Sequence, residues 1–392
     1  MTAYAASEVR MHLDTAGRVR ATHPAAGYEY WKPFAESFQS VVVLARVETH
    51  VRSDAGVLVE GPGVSVRALP YYHGLIEAPA GTMRVRRRLR SLGTAHDIFI
   101  VRLPELVSAA VHDRARSLGA RVVTFVVAEP RSLYRGLLPG PVGRIVGASV
   151  ARSTTRRVAT SDAVLYVSDG TLQALYPARQ GVPTMARSNV RLSSGDFVAA
   201  GRTAPLERPL RLISVGTAAH KMKGFDTLIN VAEALREQGI DAETTIVGGG
   251  RWLEHYRGVA SNRAVAVNFV GHIDARERIV ELLDGADVYV SASRSEGLPR
   301  ATIEAMARGL PVVTTRAGAS GELVPRRFTA PIGDAEAIAK AIKDLAHDPG
   351  LYEQASQENL IRAAELADRA NPARLTEFLV ANFGASSDET RA

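Results

Sequence analysis

Twice along this chain, short apolar runs rich in β-branched residues alternate with amphipathic stretches, and one segment rich in Pro, Arg and Ser, Pro177–Pro209, breaks the alternation. Strand–helix alternation leaves few architectures open, because each strand must pair in parallel with a neighbour and each helix must cover a sheet face. Two runs with one break predict two doubly wound α/β domains that face each other across a cleft. A length of 392 residues suits that, since domains commonly run to roughly 100–200 residues. The expected boundaries are 1–200 and 201–369, with a last helix over 370–385.

In the first run the pattern predicts strands at Ser40–Val47, Val64–Leu69, His96–Leu103, Arg121–Val127 and Ala163–Ser168. Helical periodicity appears over Pro104–Leu118 and Gly140–Arg157. The second run predicts strands at Leu210–Gly216, Glu243–Gly248, Ala266–Gly271, Asp287–Ala292 and Pro311–Thr315. Helices are expected at Phe225–Gln238, Arg251–Val259, Ala275–Asp284 and Arg300–Arg308, then at Asp334–His347, Leu351–Asp368 and Pro372–Phe383. Gly309-Leu310-Pro311 stops one helix and starts a strand.

No apolar run approaches the roughly 20 residues of a membrane-spanning helix, and the first fifteen residues lack the apolar core of a secretory signal. With no cysteine, disulfides and thiolate metal sites are excluded. A cytoplasmic protein is expected, with a peripheral position at the inner face of the membrane. The net charge of +7 divides unevenly, +10 over residues 1–200 and −3 over the rest. A basic first half suits an anionic membrane or a lipid-linked phosphate. Its densest run, Arg84, Arg86, Arg87, Arg88 and Arg90, also reads as a solvated helix face. Nucleic acid is not expected, because no aromatic residues interleave with the basic ones in a recognition motif.

In open parallel sheets, ligands bind at the carboxyl ends of strands. Four such loops in the second half carry chemistry. Gly216-Thr217-Ala218-Ala219-His220-Lys221-Met222-Lys223-Gly224 combines small residues, two lysines and a following helix N-terminus, which suits a diphosphate. A surface loop with incidental lysines is its other reading. Gly248-Gly249-Gly250 brings backbone close to a ligand or simply turns the chain. It lacks the G-x-G-x-x-G pattern with an acidic residue about 20 positions on, so it gives no support to a nicotinamide cofactor. Gly271-His272-Ile273 sits where a base or ribose would lie, and a structural histidine is the alternative.

The fourth loop runs from Ser291 to Glu304. Pro299 fits a first helical turn and bars the helix from extending back through Glu296. Glu296 therefore stands on the loop, and Glu304 about five residues into the helix, or ~7 Å along its axis. That separation is too great for a close acid–base pair. It suits two carboxylates holding opposite ends of one extended ligand, each accepting hydrogen bonds from sugar hydroxyls. Between them, the N–H groups of Arg300 and Ala301 open a helix that can bind phosphate.

At these residues the sequence resembles family 4 of the retaining GT-B glycosyltransferases, whose hallmark is two glutamates separated by seven residues. Here they are Glu296 and Glu304 within EGLPRATIEAM. The resemblance extends back through VGTAAHKMKGFDTLI, TTIVGGG, VNFVGHI and ADVYVSAS and forward into GLPVVTTRAGASGELV, about residues 210–325. The first half is similar to exopolysaccharide-type members through GYEYWKPFAESF, VVVLARV, HDIFIVRLP and SDAVLYVS. The resemblance implies transfer of a sugar from a UDP- or GDP-type nucleotide sugar to a saccharide or lipid-linked acceptor, with retention and without a metal or other cofactor. It implies that Glu296 contacts the donor sugar, Glu304 the ribose, and Lys223 the diphosphate. Gly216, Thr217, His220, Lys221, Gly248, Gly249, His272, Gly297, Leu298, Arg300 and Ala301 would line the donor site. The last helix would cross back onto the first domain.

Two positions depart from the family pattern. Thr217 stands where many members carry an arginine, which leaves His220 or Lys221 to supply the missing donor. Val126 stands where many carry a histidine in a T-x-H arrangement; Glu129, just beyond, is a candidate acceptor-side residue. These departures keep two alternatives open: a sugar-nucleotide-binding scaffold without catalysis, and a GT-B sugar-nucleotide epimerase.

Overall fold

The computed structural model of the chain describes residues 2–23, 26–74, 77–138, 140–204 and 209–384. Its first part contains β1 (Thr2–Leu13), β2 (Val19–Ala21), α1 (Tyr28–Phe38), β3 (Ser40–Arg52), β4 (Val57–Leu58), β5 (Val64–Leu69), α2 (Ala78–Leu89), β6 (Ile98–Leu103), α3 (Leu106–Leu118), β7 (Arg121–Val126), α4 (Pro130–Leu137), α5 (Gly140–Ala159), β8 (Ala163–Tyr166), α6 (Thr171–Leu175) and β9 (Thr184–Ala186). The second contains β10 (Leu210–Val215), α7 (Phe225–Glu237), β11 (Ala242–Val247), α8 (Leu253–Asn262), β12 (Val267–Gly271), α9 (Arg276–Asp284), β13 (Val288–Ser291), α10 (Arg300–Ala307), β14 (Val312–Thr315) and β15 (Thr329–Ala330), followed by α11 (Ala335–His347), α12 (Pro349–Arg369) and α13 (Pro372–Phe383).

Among the described residues these strands form a nine-stranded and a six-stranded sheet. The parallel core of the first runs β5-β3-β1-β6-β7-β8-β9, and β2 and β4 add antiparallel to the far end of β1. The second, all parallel, runs β12-β11-β10-β13-β14-β15. In both, strand order reverses beside the first strand, between β1 and β6 and between β10 and β13. Such a reversal opens a crevice at the strands' carboxyl ends. This is the two-domain GT-B arrangement.

Two of the differences from the sequence expectation bear on how the sheets are built. β1 has no counterpart in the pattern reading, yet it is the central strand of the first sheet. It is built of small residues buried on both faces, Ala3, Ala5 and Ala6, and so shows no strong β-branched run. Its register shifts between Ser7 and Met11, where Glu8 and Arg10 interrupt the apolar sequence. The segment Pro177–Pro209, expected as a loop throughout, contributes β9 as a three-residue edge strand paired with β8.

The last helix belongs to the first sheet's core by packing. Leu375, Leu379 and Phe383 of α13, each 2% exposed or less, cluster with Trp31, Phe34 and Phe38 of α1. Burying each such side chain contributes about 1.5–3 kcal/mol. A second tie is polar. Glu322 accepts from the backbone N–H groups of Asp169, Gly170 and Thr171, while Arg362 and Arg369 both pair with Asp169. Among the described residues no helix is long and apolar enough to cross a membrane.

Candidate active site

The crevice of the second sheet lies between the loop after β10 and the loop after β13. Gly216 leaves β10, Lys221–Lys223 form a single 3-10 turn, and Gly224 then takes a left-handed φ of 66°. Any Cβ on Gly224 would stand 2.0 Å from the Ala292 carbonyl oxygen, so only glycine lets α7 begin this close to β13. The Lys223 side chain folds back over Gly216 and its Nζ donates to Glu296 Oε1 at 2.6 Å. Ser293 Oγ donates to the same oxygen at 2.7 Å. The pair is largely shielded, with side-chain exposures of 27% and 11%. Ser293 had no distinguishing mark in the sequence beyond its place in the loop.

Glu296 lies on the loop, with Pro299 at the N-cap and Arg300 as the first residue of α10. Glu304 is the fifth residue of that helix and lines a cavity of about 140 Å³ with Leu192, Asp196, Asp274, Arg276 and Arg308. Burial raises its pKa, against the opposing pull of Arg276 and Arg300. Arg276 is itself paired with Asp196, from the segment between the two sheets. Sequence reasoning missed both, because Asp196 lies 80 residues from Arg276. Leu298 is buried, and Ala301 packs on the same core.

The remaining loop residues are placed as follows. Thr217 Oγ1 accepts from Ala219 N at 3.1 Å and donates to the Gly249 carbonyl at 3.3 Å, so the position of the family arginine is used for local bracing. Lys221 Nζ lies 4.1 Å from the centre of the Trp252 ring, and His220 is exposed. Gly248 adopts φ 141°, and a Cβ there would overlap the Gly216 carbonyl oxygen at 1.6 Å. Gly249 packs against His272, whose exposed ring pairs with Asp274 at 2.9 Å. Among the described residues no group of three or more His, Cys, Asp or Glu is arranged to hold a metal ion.

The first sheet meets this loop directly. The Val127 carbonyl oxygen lies where a Cβ on Gly297 would come within 2.1 Å. Ser132 and Ser295 share a hydrogen bond at 3.0 Å, and Arg300 Nη2 is 3.1 Å from His23 Nε2. Val126 is fully buried in the core at the end of β7. Glu129 caps α4: its two oxygens accept from Arg131 N at 2.8 Å and Ser132 N at 2.5 Å, and Tyr176 Oη donates to it at 3.0 Å.

Residues 202–365 match the family described as glycosyl transferases group 1. The chain is 34% identical over 152 residues to the amylovoran biosynthesis glycosyltransferase AmsK of Erwinia amylovora, covering 36% of this chain and 37% of that protein. It is 37% identical over 139 residues to a GDP-mannose-dependent alpha-(1-6)-phosphatidylinositol monomannoside mannosyltransferase of Mycolicibacterium smegmatis, covering 32% of this chain and 36% of that protein. Each match therefore spans little more than a third of the relative. The whole fold is similar to sucrose-phosphate synthase of Thermosynechococcus elongatus, with a TM-score of 0.70 over 98% of this chain and 100% of that one, at 17% identity.

Proposed function

We propose that this chain, related to the group 1 glycosyl transferases through residues 202–365, is a retaining glycosyltransferase that takes its sugar from a nucleotide-diphosphate sugar. Residues 201–369 hold the donor, and residues 1–200, with the last helix packed on them, hold a saccharide or lipid-linked acceptor. The observation that carries this reading is the 2.6 Å contact between Lys223 and Glu296 at the switch point of the second sheet, with Glu304 on the helix that follows the Glu296 loop. A cation and a carboxylate so joined can part to hold two neighbouring pieces of one ligand, the diphosphate and the sugar beside it.

In this reading Glu304 accepts from the ribose hydroxyls and Glu296 from a hydroxyl of the transferred sugar. Lys223, with the N–H groups of Arg300 and Ala301, faces the diphosphate. His220 is the group left to supply a second donor near it, since Lys221 rests on Trp252. The bond from the anomeric carbon to the diphosphate oxygen breaks, and a bond to the acceptor oxygen forms on the same face. The acceptor hydroxyl proton passes to the departing phosphate oxygen. Lys223 holds the diphosphate and stabilises the further negative charge that builds there, so it is felt in turnover as well as in binding.

The first domain's charge suits an acceptor held at an anionic membrane. Asp113 of α3 accepts from Arg86 of α2 and from Arg157 of α5, so these three helices form one basic layer. Met83, Arg84, Arg87 and Arg88 of α2, Arg90 just after it, and Arg144, Ile145, Arg152 and Arg156 of α5 are exposed.

The test is to incubate the protein with a panel of UDP and GDP sugars without acceptor. Slow release of nucleotide together with free sugar of retained anomeric configuration is the expected result. Nucleotide binding without release leaves a scaffold, and an epimerised nucleotide sugar leaves an epimerase.

A further inference from the structure

The carboxyl end of the first sheet meets the loops that carry Lys223 and Glu296 at several points. Gly136 of α4 approaches Met222, Ser132 bonds to Ser295, and Val127 and Val167 both come up to Gly297. Beyond them stands a carboxylate. After β8, Asp169, Gly170 and Thr171 turn their backbone N–H groups on Glu322, which lies in the segment GLPVVTTRAGASGELV past the end of β14.

Two carboxylates work here in opposite directions. Glu322 reaches out from the second domain: one oxygen accepts from Asp169 N at 2.7 Å and Gly170 N at 3.3 Å, and the other from Thr171 N. These N–H groups open α6 and have no partner inside so short a helix, and a charged acceptor makes the stronger bond with them. Asp169 reaches back from the first domain, its carboxylate paired with Arg362 and Arg369 of α12. The side chains of Asp169, Arg362 and Arg369 are only 32%, 19% and 28% exposed, so solvent screens this clasp less than an open surface pair.

Glu322 is also joined to the Glu296 loop from behind. It is the last residue of the 3-10 turn Gly318–Glu322. At the start of that turn Gly318 takes a φ of 57°, and a Cβ there would lie 1.9 Å from the Glu296 carbonyl oxygen. Ala319 N donates to the Gly297 carbonyl at 3.3 Å. Ala319 and Ser320 are buried, so the turn is held in close packing and moves as a piece. The contacts form a closed circuit. It runs from Asp169 to Glu322, back along the turn to Gly297, and across to Val167 on the strand end that leads into Asp169. A shift of the turn is passed on to Glu296, because backbone atoms in contact cannot rotate aside.

We propose that Glu322 is a positioning residue for transfer: by gripping the Asp169–Thr171 backbone across the cleft, it fixes the Gly318–Glu322 turn, and with it the Glu296 loop, against the first domain. The inference rests on the transferase reading. The Asp169 carboxylate serves the same clasp through α12, outside the Glu296 loop, so it contributes stability and not position.

Three variants, Glu322→Ala, Glu322→Gln and Asp169→Asn, separate position from stability. Each removes part of the clasp, so each should lower the thermal midpoint. With nucleotide release from UDP and GDP sugars as the assay, Glu322→Ala should lower turnover by at least about tenfold, as for a slightly displaced reacting group. Glu322→Gln should lower it less, and it carries the same comparison should the alanine variant not fold. UDP and GDP affinity, measured by calorimetry, should stay nearly unchanged in both. Asp169→Asn keeps the backbone donors that Glu322 grips, so it should keep most of its turnover despite its lower midpoint. A second readout does not depend on activity. The chain has no cysteine, so spin labels on Arg88→Cys and Lys340→Cys report one distance between the domains. Its distribution should broaden when Glu322→Ala is added. Turnover that follows the midpoint alone across the three variants, nucleotide affinity that falls with turnover, or an unchanged distance distribution overturns the inference. Wild-type protein that turns over none of the sugars sinks the transferase reading and this inference with it; equal turnover in wild type and Glu322→Ala sinks this inference alone.

Discussion

The Lys223 ammonium and the Glu296 carboxylate, 73 residues apart in sequence, meet at 2.6 Å across the mouth of the second sheet's crevice. Each neutralises the other, so a diphosphate must draw the lysine away from its glutamate or share it. We expect Lys223→Ala to weaken nucleoside diphosphate by roughly 1.5–3 kcal/mol, the cost of a lost charge-assisted hydrogen bond. The free nucleoside, which has no phosphate, should bind almost as before. Calorimetry with both ligands decides it: equal losses place the lysine off the phosphates.

Glu296 and Glu304 should separate by what they hold. Glu296→Gln keeps the size but weakens acceptance of a sugar hydroxyl as charge develops at the anomeric carbon. Turnover should fall at least tenfold while nucleoside diphosphate affinity holds or rises, since the amide no longer competes with the phosphates for Lys223. Glu304→Ala should instead weaken nucleoside and nucleoside diphosphate alike, by roughly 1.5–3 kcal/mol. Normal turnover in the first variant, or normal nucleotide affinity in the second, would refute this division of labour.

His112 sets a pH dependence of stability. Its Nε2–H donates to the Arg157 carbonyl at 3.1 Å, while burial, with Arg157 and Arg116 close by, lowers the ring's pKa from 6.5 to about 4. Between those values the unfolded chain binds a proton that the native ring refuses. Stability contributed by the neutral ring is therefore full above pH 6.5 and is lost as pH falls toward 4. His112→Gln, which can still donate to Arg157, should flatten the fall in thermal midpoint over that window. An unchanged slope would show that other groups control acid lability.

The second domain was largely legible because its strands are runs rich in Val, Ile and Thr, with β13 and β14 buried on both faces, punctuated by glycine. The positions of Glu296 and Glu304 followed from Pro299 alone, since proline fixes where a helix can start. The first domain was less legible. β1 is alanine-rich and is interrupted by Glu8 and Arg10, which hid the strand. Asp169, Glu322, Arg362 and Arg369 share no spacing; only the meeting of the two domains gathers them. Glu129 looked the same from sequence whether it touched a ligand or capped α4, because both uses need a carboxylate before a helix-starting proline.

The basic layer of α2, α3 and α5 should bind vesicles containing anionic lipid at low salt and release them as salt rises, because surface charges are screened within about 10 Å at 0.1 M. Arg86 is paired with Asp113, so the effect should follow the exposed Arg87 and Arg88. Replacing both with Ala should lower binding severalfold in a sedimentation assay, and Arg86→Ala should do less. Absence of binding at low salt would leave a soluble acceptor.

Gly297 tests whether the contact between the two sheets is the reacting arrangement. Its Cα lies so near the Val127 carbonyl that a Cβ would stand 2.1 Å from that oxygen. The obstacle is backbone, which cannot rotate aside as a side chain would. Gly297→Ala therefore has to push the Glu296 loop away from the first domain by about an ångström, and close-packed interiors resist such intrusions at roughly 1–3 kcal/mol. The cavity at Glu304, lined by the second domain together with Leu192 and Asp196 of the connecting segment, lies away from this contact and keeps its lining, so nucleoside diphosphate should bind with little change. In the proposed reaction the donor sugar must lie beside the first domain, and a displacement near 1 Å can cost about a hundredfold in rate. Turnover should thus fall by at least tenfold with nucleotide affinity retained, measured side by side on the purified variant. Wild-type turnover in Gly297→Ala would mean that catalysis takes place with the domains further apart than the Val127–Gly297 contact holds them.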